Sequence, residues 1–344
     1  MVPKTFLNLE TVCVVAEIGI NHNGDINLAK ESIDAAAHAG AHAVKFQNYK
    51  TEDFVTADDL PLTYKSKGEM VTESQYALFK RCELSRDNLI ELSDFAASRN
   101  VMFQSTPTSL EGIEHLKMVR SPVLKNGSDF LTNHRIIKAM GESGLPTVLS
   151  TGMATLAEID EAVRTFTSTG NTELLLLHCT SSYPTPADEV NLARLDSLRA
   201  AFTRPVGFSD HTIGSTAAIG AVVKGAIWIE KHFTLDHNLP GPDHWFSMVP
   251  DDLARLVRDI TSAEAMVGSS AIGPTNSEMQ GREQFRLSCV AARLLPSGRK
   301  LTSEDIAFKR PGTGIPPVHE KMLVGRTVTR QFSEGERFDL EFLS

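Results

Sequence analysis

Eight short apolar runs, most of them followed by a stretch with helical spacing, constrain this chain more than any other feature. They read VCVVAEIG, AVKFQ, VMFQST, PVLKNGS, TVLSTG, LLLLHCT, PVGFSD and IWIEKHF. Between most of them lie amphipathic segments such as NLAKESIDAAAHAG, DNLIELSDFAASR and LAEIDEAVRTF. Apolar residues at three- and four-residue intervals mark helices, and short β-rich runs mark strands. Repeated strand–helix units build a parallel sheet, and eight of them over roughly 270 residues fit a closed (β/α)8 TIM barrel. A doubly wound open sheet is the rival. It usually has fewer strands and a G-x-G-x-x-G first turn, which AEIGINHNGD does not match.

The runs share a second property. Glu17 ends the first, Lys45 and Gln47 the second, and Ser105 and Thr106 the third. Lys125 and Ser128 end the fourth, Ser150 and Thr151 the fifth, and His178 and Thr180 the sixth. Ser209 and His211 end the seventh, Glu230 and His232 the eighth. One polar strand end is an ordinary capped loop. Eight in one barrel converge on a single rim, where active sites of this fold sit.

The stretch GFSDHT places Ser209, Asp210 and His211 side by side. These are the residue types of a hydrolase triad, but on an extended segment Ser209 and His211 share one face and Asp210 takes the other. No G-x-S-x-G elbow surrounds Ser209. His211 and His232 end neighbouring strands, and neutral imidazoles there suit a divalent metal with positions left open for water or substrate. The alternative is a pair of hydrogen-bonded packing histidines. Lys45 and Lys125 lie inside apolar runs, where an ammonium needs a partner. Anion clamping at the rim suits them best, with a Schiff-base role or snorkelling to solvent as alternatives. Glu17 could act as a base, a sugar-hydroxyl acceptor, a partner of metal-bound water or an acceptor for backbone donors.

Composition narrows the classes further. The 344 residues are 41% hydrophobic and 22% charged, with a formal net charge of −9. That is ordinary globular composition, and it argues against nucleic acid as a partner. No apolar run reaches the roughly 18 residues of a membrane span. The N-terminal MVPKTFLNLETV lacks signal-peptide character, and Cys13, Cys82, Cys179 and Cys289 are far apart in the chain. A reduced, cytoplasmic protein is expected. After about residue 270 the chain turns polar in GSSAIGPTNSEMQGREQFR and then β-rich in CVAARLL, KMLVGRTV and RFDLEFL. The expected organisation is a barrel over 1–272, a linker over 273–287 and a small β-rich domain over 288–344.

The motifs AEIGINHNGD, VKFQ, STP, LSTGM, HCTSSYPTP, GFSDHT, EKHFT and LPGPDH, in this order, resemble the sialic acid synthase family over nearly the whole chain. The segment FKRPGTGI resembles that family's C-terminal antifreeze-like (SAF) domain, a β-clip fold. The resemblance implies an enzyme that condenses phosphoenolpyruvate with N-acetylmannosamine or a related amino sugar. It implies His211 and His232 as ligands of a divalent metal, usually manganese. Lys45, Thr106, Lys125, Ser128, Ser150 and Ser209 would bind phosphoenolpyruvate. Gln47, Tyr183 and Asp243 would bind the sugar, and Glu17 and Glu230 would stand at the reacting centre. Arg310 would reach the partner's site in a domain-swapped homodimer. Two positions depart from the family pattern. Phe130 stands where relatives carry an acidic residue, with Asp129 one place earlier, and Ser181 stands where sialic acid synthases often have asparagine. Both departures concern the sugar. A legionaminate or pseudaminate synthase is therefore the alternative within the class. A metal-dependent barrel hydrolase would need an H-x-H pair on the first strand, which INHNGD lacks. A non-catalytic sugar-binding protein would not need both lysines and both histidines.

Overall fold

The computed structural model describes residues 9, 11–56 and 61–344. The chain forms two compact units, one ending at Gly268 and one running from Ser269 to Ser344. The first is the barrel. Its strands are β1 (Cys13–Gly19), β2 (Ala43–Asn48), β3 (Met102–Pro107), β4 (Leu124–Asn126), β5 (Thr147–Ser150), β6 (Leu174–Cys179), β7 (Val206–Asp210) and β8 (Trp228–His232). Neighbouring strands are parallel in the order β3-β2-β1-β8-β7-β6-β5-β4. The two end strands, β3 and β4, pack side by side and nearly close the ring.

Strand alternation sorts the side chains into two cores. Cys13, Val15, Ala43, Val123, Val148, Leu175, Leu177 and Trp228 form a buried cluster that fills the lower lumen. Val14, Ala16, Val44, Phe46, Leu176, Phe208 and Ile229 point the other way, onto helix residues such as Ile33, Leu89, Ile137 and Phe166. The layered lumen is a packed floor. Trp228 is its largest member, and Gly207 makes room for it. A Cβ on Gly207 would stand 2.6 Å from Leu177 Cδ2 and 2.7 Å from Trp228 Cβ. The surrounding helices start at polar caps. Asp25 caps Ile26–His38, and capping boxes at Ser85 and Thr155 start Arg86–Ser98 and Leu156–Thr167.

One element lies outside the eight runs. Residues Pro61–Ser66 and Glu69–Ser74 form an antiparallel hairpin, turned by Lys67 and Gly68 at φ 52° and 85°. Two consecutive left-handed residues make the turn that suits strand twist. The sequence signal is the alternation on either side of Lys-Gly. It is weak because Lys-Gly is not one of the strong turn pairs and the strands are mostly polar.

The second unit begins with an α-helix, Asn276–Phe285, started by a Thr275–Glu278 capping box. The stretch 273–287, expected to be a linker, therefore holds regular structure. Ser288–Ala291 pairs antiparallel with Ile306–Lys309, and isolated bridges such as Leu295 with Phe332 extend the β-rich pattern. Cys289, Leu301, Leu323, Val328, Phe332 and Phe338 form its core. No helix among the described residues is long and apolar enough to cross a membrane. All four cysteines are free.

Candidate active site

A cavity of about 920 Å³ opens at the C-terminal ends of the barrel strands. Its floor carries four buried charges: Glu17, Lys45, Lys125 and Glu230, none more than 6% exposed. Lys45 Nζ lies 2.8 Å from Glu17 Oε2 and 3.6 Å from Glu230 Oε1, and donates to Thr106 Oγ1 at 3.1 Å. Lys125 Nζ donates to Ser150 Oγ at 2.6 Å and to the Asn126 carbonyl at 2.8 Å, with Glu230 Oε1 at 3.8 Å. Ser209 Oγ donates to Glu230 Oε1 at 3.3 Å. Neither lysine snorkels to solvent.

Burial pushes the Glu17 carboxyl up to about 7, against the pull of Lys45. Burial also acts on Glu230, but Lys125 and Lys45 outweigh it and hold that carboxyl below its ordinary range. Burial works against the Lys45 ammonium, and Glu17 and Glu230 more than reverse it, so its affinity for a proton rises. The Lys125 ammonium is weakened by burial. Two neighbouring carboxylates thus differ in proton affinity, the usual signature of an acid–base pair.

One side of the rim is built from imidazoles. The His211 and His232 ring centroids are 5.3 Å apart, and Tyr183 lies 4.3 Å from the His211 ring. His211 Nδ1 is 2.8 Å from the Thr180 carbonyl, which makes that nitrogen the N–H and leaves Nε2 with a lone pair. His232 Nδ1 is buried without a hydrogen bond among the described residues, and Asp243 Oδ2 lies 3.6 Å away. Burial drives the His232 proton affinity well below its ordinary value and pushes the Asp243 carboxyl up to about 6. Burial opposes a proton on His211 as well, but Cys179 and the Thr180 carbonyl outweigh it and its proton affinity rises; once deprotonated, both imidazoles are suitable donors for a divalent cation. Among the described residues no cluster of three or more side-chain ligands forms. An ion here would be held by His211 and His232, with water or substrate completing its shell.

Gln47, Thr106, Ser128, Asp129, Ser150, Ser181, Tyr183, Ser209 and Asp243 also line the cavity. Tyr183 stands at the mouth, 51% exposed. Phe130 lines the cavity and meets Phe54 at 6.3 Å. Other expected residues are elsewhere. Arg310 belongs to the second unit, its guanidinium 5.2 Å from the Phe285 ring. His178 Nε2 bonds the Val190 carbonyl, and Thr151 Oγ1 donates to the Leu177 carbonyl. Ser105 is buried outside the cavity lining. His178 and Ser105 follow strand alternation, which turns every second side chain off the lumen. Asp210 also faces away, where it accepts from Lys231 Nζ at 2.8 Å.

An apolar wall lines the cavity as well, and of its residues only Ile20 lies in one of the motifs. It is made of Ile20, Phe54, Leu62, Tyr64, Leu78 and Phe79. Phe54 is its hub, with ring contacts to Tyr49 at 5.2 Å and Phe79 at 5.1 Å. Trp245 and Phe246 line the side next to His232. Apart from their position after strand ends, nothing in their sequence context distinguishes these residues from core residues.

Comparison with known proteins agrees with this geometry. A model of the NeuB family matches residues 32–271, and a SAF domain model matches 288–338. An uncharacterized protein of Methanocaldococcus jannaschii is 39% identical over 95% of this chain and 93% of its own. N,N'-diacetyllegionaminic acid synthase of Legionella pneumophila is 38% identical, covering 94% of this chain and 92% of its own. Among solved structures, N-acetylneuraminic acid (sialic acid) synthetase of Leptospira borgpetersenii superimposes with a TM-score of 0.71 at 33% identity. That match covers 79% of this chain and 90% of the other.

Proposed function

Since the chain belongs to the NeuB family, we propose that it joins phosphoenolpyruvate to an N-acetylated amino sugar. N-acetylmannosamine or a relative of it would yield a nine-carbon 2-keto acid and inorganic phosphate. The observation that carries the reading is the floor, where Lys45 and Lys125 sit buried in one cavity with the hydroxyls of Thr106, Ser150 and Ser209. Paired ammonium groups beside hydroxyl donors suit a small ligand carrying both a phosphate and a carboxylate. Ser128, at the same rim, would complete that site.

The sugar would lie above the floor, against Gln47, Tyr183 and Asp243. A manganese ion on His211 and His232 would supply Lewis acidity to the aldehyde oxygen. The chain's own residues do the rest. Lys45 and Lys125 hold the enol substrate so that its C3 faces the aldehyde carbon, which removes much of the entropic barrier to C–C bond formation. Water then adds at C2, the C2–O bond to phosphorus breaks, and phosphate leaves. Glu17, with its carboxyl near 7, is suited to take the proton from that water. Glu230 remains ionised and balances the lysines. Arg310 would act on the acyl group of the sugar in a partner subunit's cavity, in a domain-swapped homodimer. The free cysteines fit a reduced, cytoplasmic setting.

The test is to incubate the manganese-loaded protein with phosphoenolpyruvate and a panel of amino sugars, reading phosphate release and product mass together. The panel holds N-acetylmannosamine, its 6-phosphate and 6-deoxy diacetamido hexoses. Phosphate release with a product heavier than the sugar by one pyruvate unit is expected, and it should stop after chelation and return with manganese. Absence of phosphate release, together with no thermal stabilisation by phosphoenolpyruvate, would overturn the reading.

A further inference from the structure

Two buried polar residues with no part in the chemistry above, Asn21 and Ser247, meet beside the cavity without lining it. Asn21 follows β1 in the stretch INHNGD, and Ser247 lies in the loop that follows β8. They are 226 residues apart in the chain, yet Asn21 Nδ2 donates to Ser247 Oγ at 3.1 Å. The same nitrogen donates to the Phe233 carbonyl at 2.9 Å, so both N–H groups of the amide are used. Ser247 Oγ in turn donates to the backbone carbonyl of Asp243 at 2.6 Å, and the Ser247 N–H reaches that carbonyl at 3.2 Å.

Phe233 is the residue after His232. One amide therefore ties the strand end that carries His232 to the loop that carries Asp243. The Asp243 carboxylate lines the cavity and meets His232 Nδ1 at 3.6 Å, too far for a hydrogen bond. Its place is set by its backbone. Other ties hold the same loop. His244 Nδ1 lies 2.6 Å from Thr234 Oγ1 and its Nε2 3.3 Å from Asn23 Nδ2. The Gly241 N–H donates to Ser66 Oγ of the hairpin at 3.1 Å, and the Met248 N–H to the His232 carbonyl at 2.8 Å. Asn21, Thr234, His244 and Ser247 are each no more than 3% exposed. In such surroundings a hydrogen bond is stronger, and an orphaned partner costlier, than in water.

We propose that Asn21 and Ser247 are positioning residues for the sugar, holding the Asp243 backbone so that its carboxylate stands beside His232 where the sugar binds. The proposal rests on the synthase reading given above. Neither residue touches substrate, and both act through Asp243. Without the Ser247 hydroxyl, the Asp243 carbonyl loses its shortest bond, while the bond from Asn21 to Phe233 stays and keeps the His232 strand end in place. Lys45, Lys125 and the floor hydroxyls stand on other strand ends and make no bond to this network among the described residues. A misplacement of about 1 Å can cost about a hundredfold in rate. With the Ser247 N–H and the His244 ties still in place, a loss of about tenfold is expected, confined to the sugar.

The test is a double-mutant cycle of Ser247→Ala with Asp243→Ala, run with the amino sugar that the parent turns over. Ser247→Ala should lower the sugar kcat/KM about tenfold and leave the phosphoenolpyruvate KM within about twofold of the parent. In the Asp243→Ala background the same change should cost less than about twofold, because the residue it acts through is gone. Ser247→Cys keeps the volume and a weak donor. It should fall between alanine and the parent, and it takes the place of Ser247→Ala in the cycle should the alanine variant not fold. A merely structural role would lower the sugar kcat/KM equally in both backgrounds, or raise the phosphoenolpyruvate KM as well, and either result would overturn the proposal. An unchanged sugar kcat/KM in Ser247→Ala would overturn it too, with the synthase reading intact. Phosphate release by the parent with no amino sugar would also overturn it. Whether phosphoenolpyruvate still stabilises the protein against heat then decides if the synthase reading falls with it.

Discussion

Asp210→Asn should destabilise the barrel severely without touching the cavity. The carboxylate is 1% exposed and its partner Lys231 2%. Lys231 Nζ lies 2.8 Å from Asp210 Oδ2 and 2.6 Å from the Thr212 carbonyl, and Asp210 Oδ1 accepts from the Thr212 N–H at 2.8 Å. At this separation the Coulomb attraction is about 6 kcal/mol for an effective dielectric near 20. Asparagine keeps the shape and can keep the bond to the Thr212 N–H, but strands the ammonium. Removing one partner of a buried pair costs about 3–5 kcal/mol, chiefly because the other charge stays buried. Replacing both, in Asp210→Asn with Lys231→Met, removes that charge and should restore most of the loss. Urea unfolding followed by tryptophan fluorescence isolates the right transition, since the chain's two tryptophans, Trp228 and Trp245, both lie in the barrel unit. A single variant within about 1 kcal/mol of the parent, the range of exposed ion pairs, would refute the reasoning. So would a double variant no more stable than the single one.

Four further outcomes are expected. Lys125→Met should abolish the thermal stabilisation that phosphoenolpyruvate gives the parent, measured by calorimetry. Arg310→Ala should raise the sugar KM far more than the phosphoenolpyruvate KM; equal rises would remove Arg310 from the sugar's acyl group. Gly24→Ala should cost more than about 1–3 kcal/mol in the same urea assay, because Gly24 sits at φ +81° and a Cβ would stand 2.1 Å from the Arg81 carbonyl oxygen. In the second unit, burial opposes the Asp305 charge, but bonds from Arg293, Thr302 and Arg299 win and pull its carboxyl down to about 2. A carboxyl depressed below its unfolded value of about 4 adds stability above that pH and loses it as pH falls through about 2. Hydrogen exchange in peptides from residues 288–344 should therefore show protection falling between about pH 4 and 2 in the parent, and far less pH dependence in Asp305→Asn.

The barrel and the polar floor were legible for one reason. A lysine or glutamate inside an apolar run is costly, so Glu17, Lys45, Lys125 and Glu230 announced themselves one strand at a time. Strand alternation then placed Ser209 and His211 together and Asp210 apart. It could not name Lys231 as the partner of Asp210, because that pairing depends on the register between β7 and β8. The rim reading was too generous to His178, Ser105 and Thr151, which follow apolar runs but bond or pack away from the lumen. The apolar wall was hidden for the opposite reason. Phe54, Leu78 and Phe79 look the same in sequence whether they face a cavity or a core, and only the folded hairpin shows which.

The lumen floor beneath Lys125 and Glu230, plugged by Trp228 over Gly207, closes the cavity from below among the described residues. Whatever settles on the lysines and hydroxyls at the bottom has to arrive before anything that rests against Tyr183 and Phe54 above it, and can depart only afterwards. In steady-state kinetics that geometry is a compulsory order of addition, with the deeper ligand first in and last out.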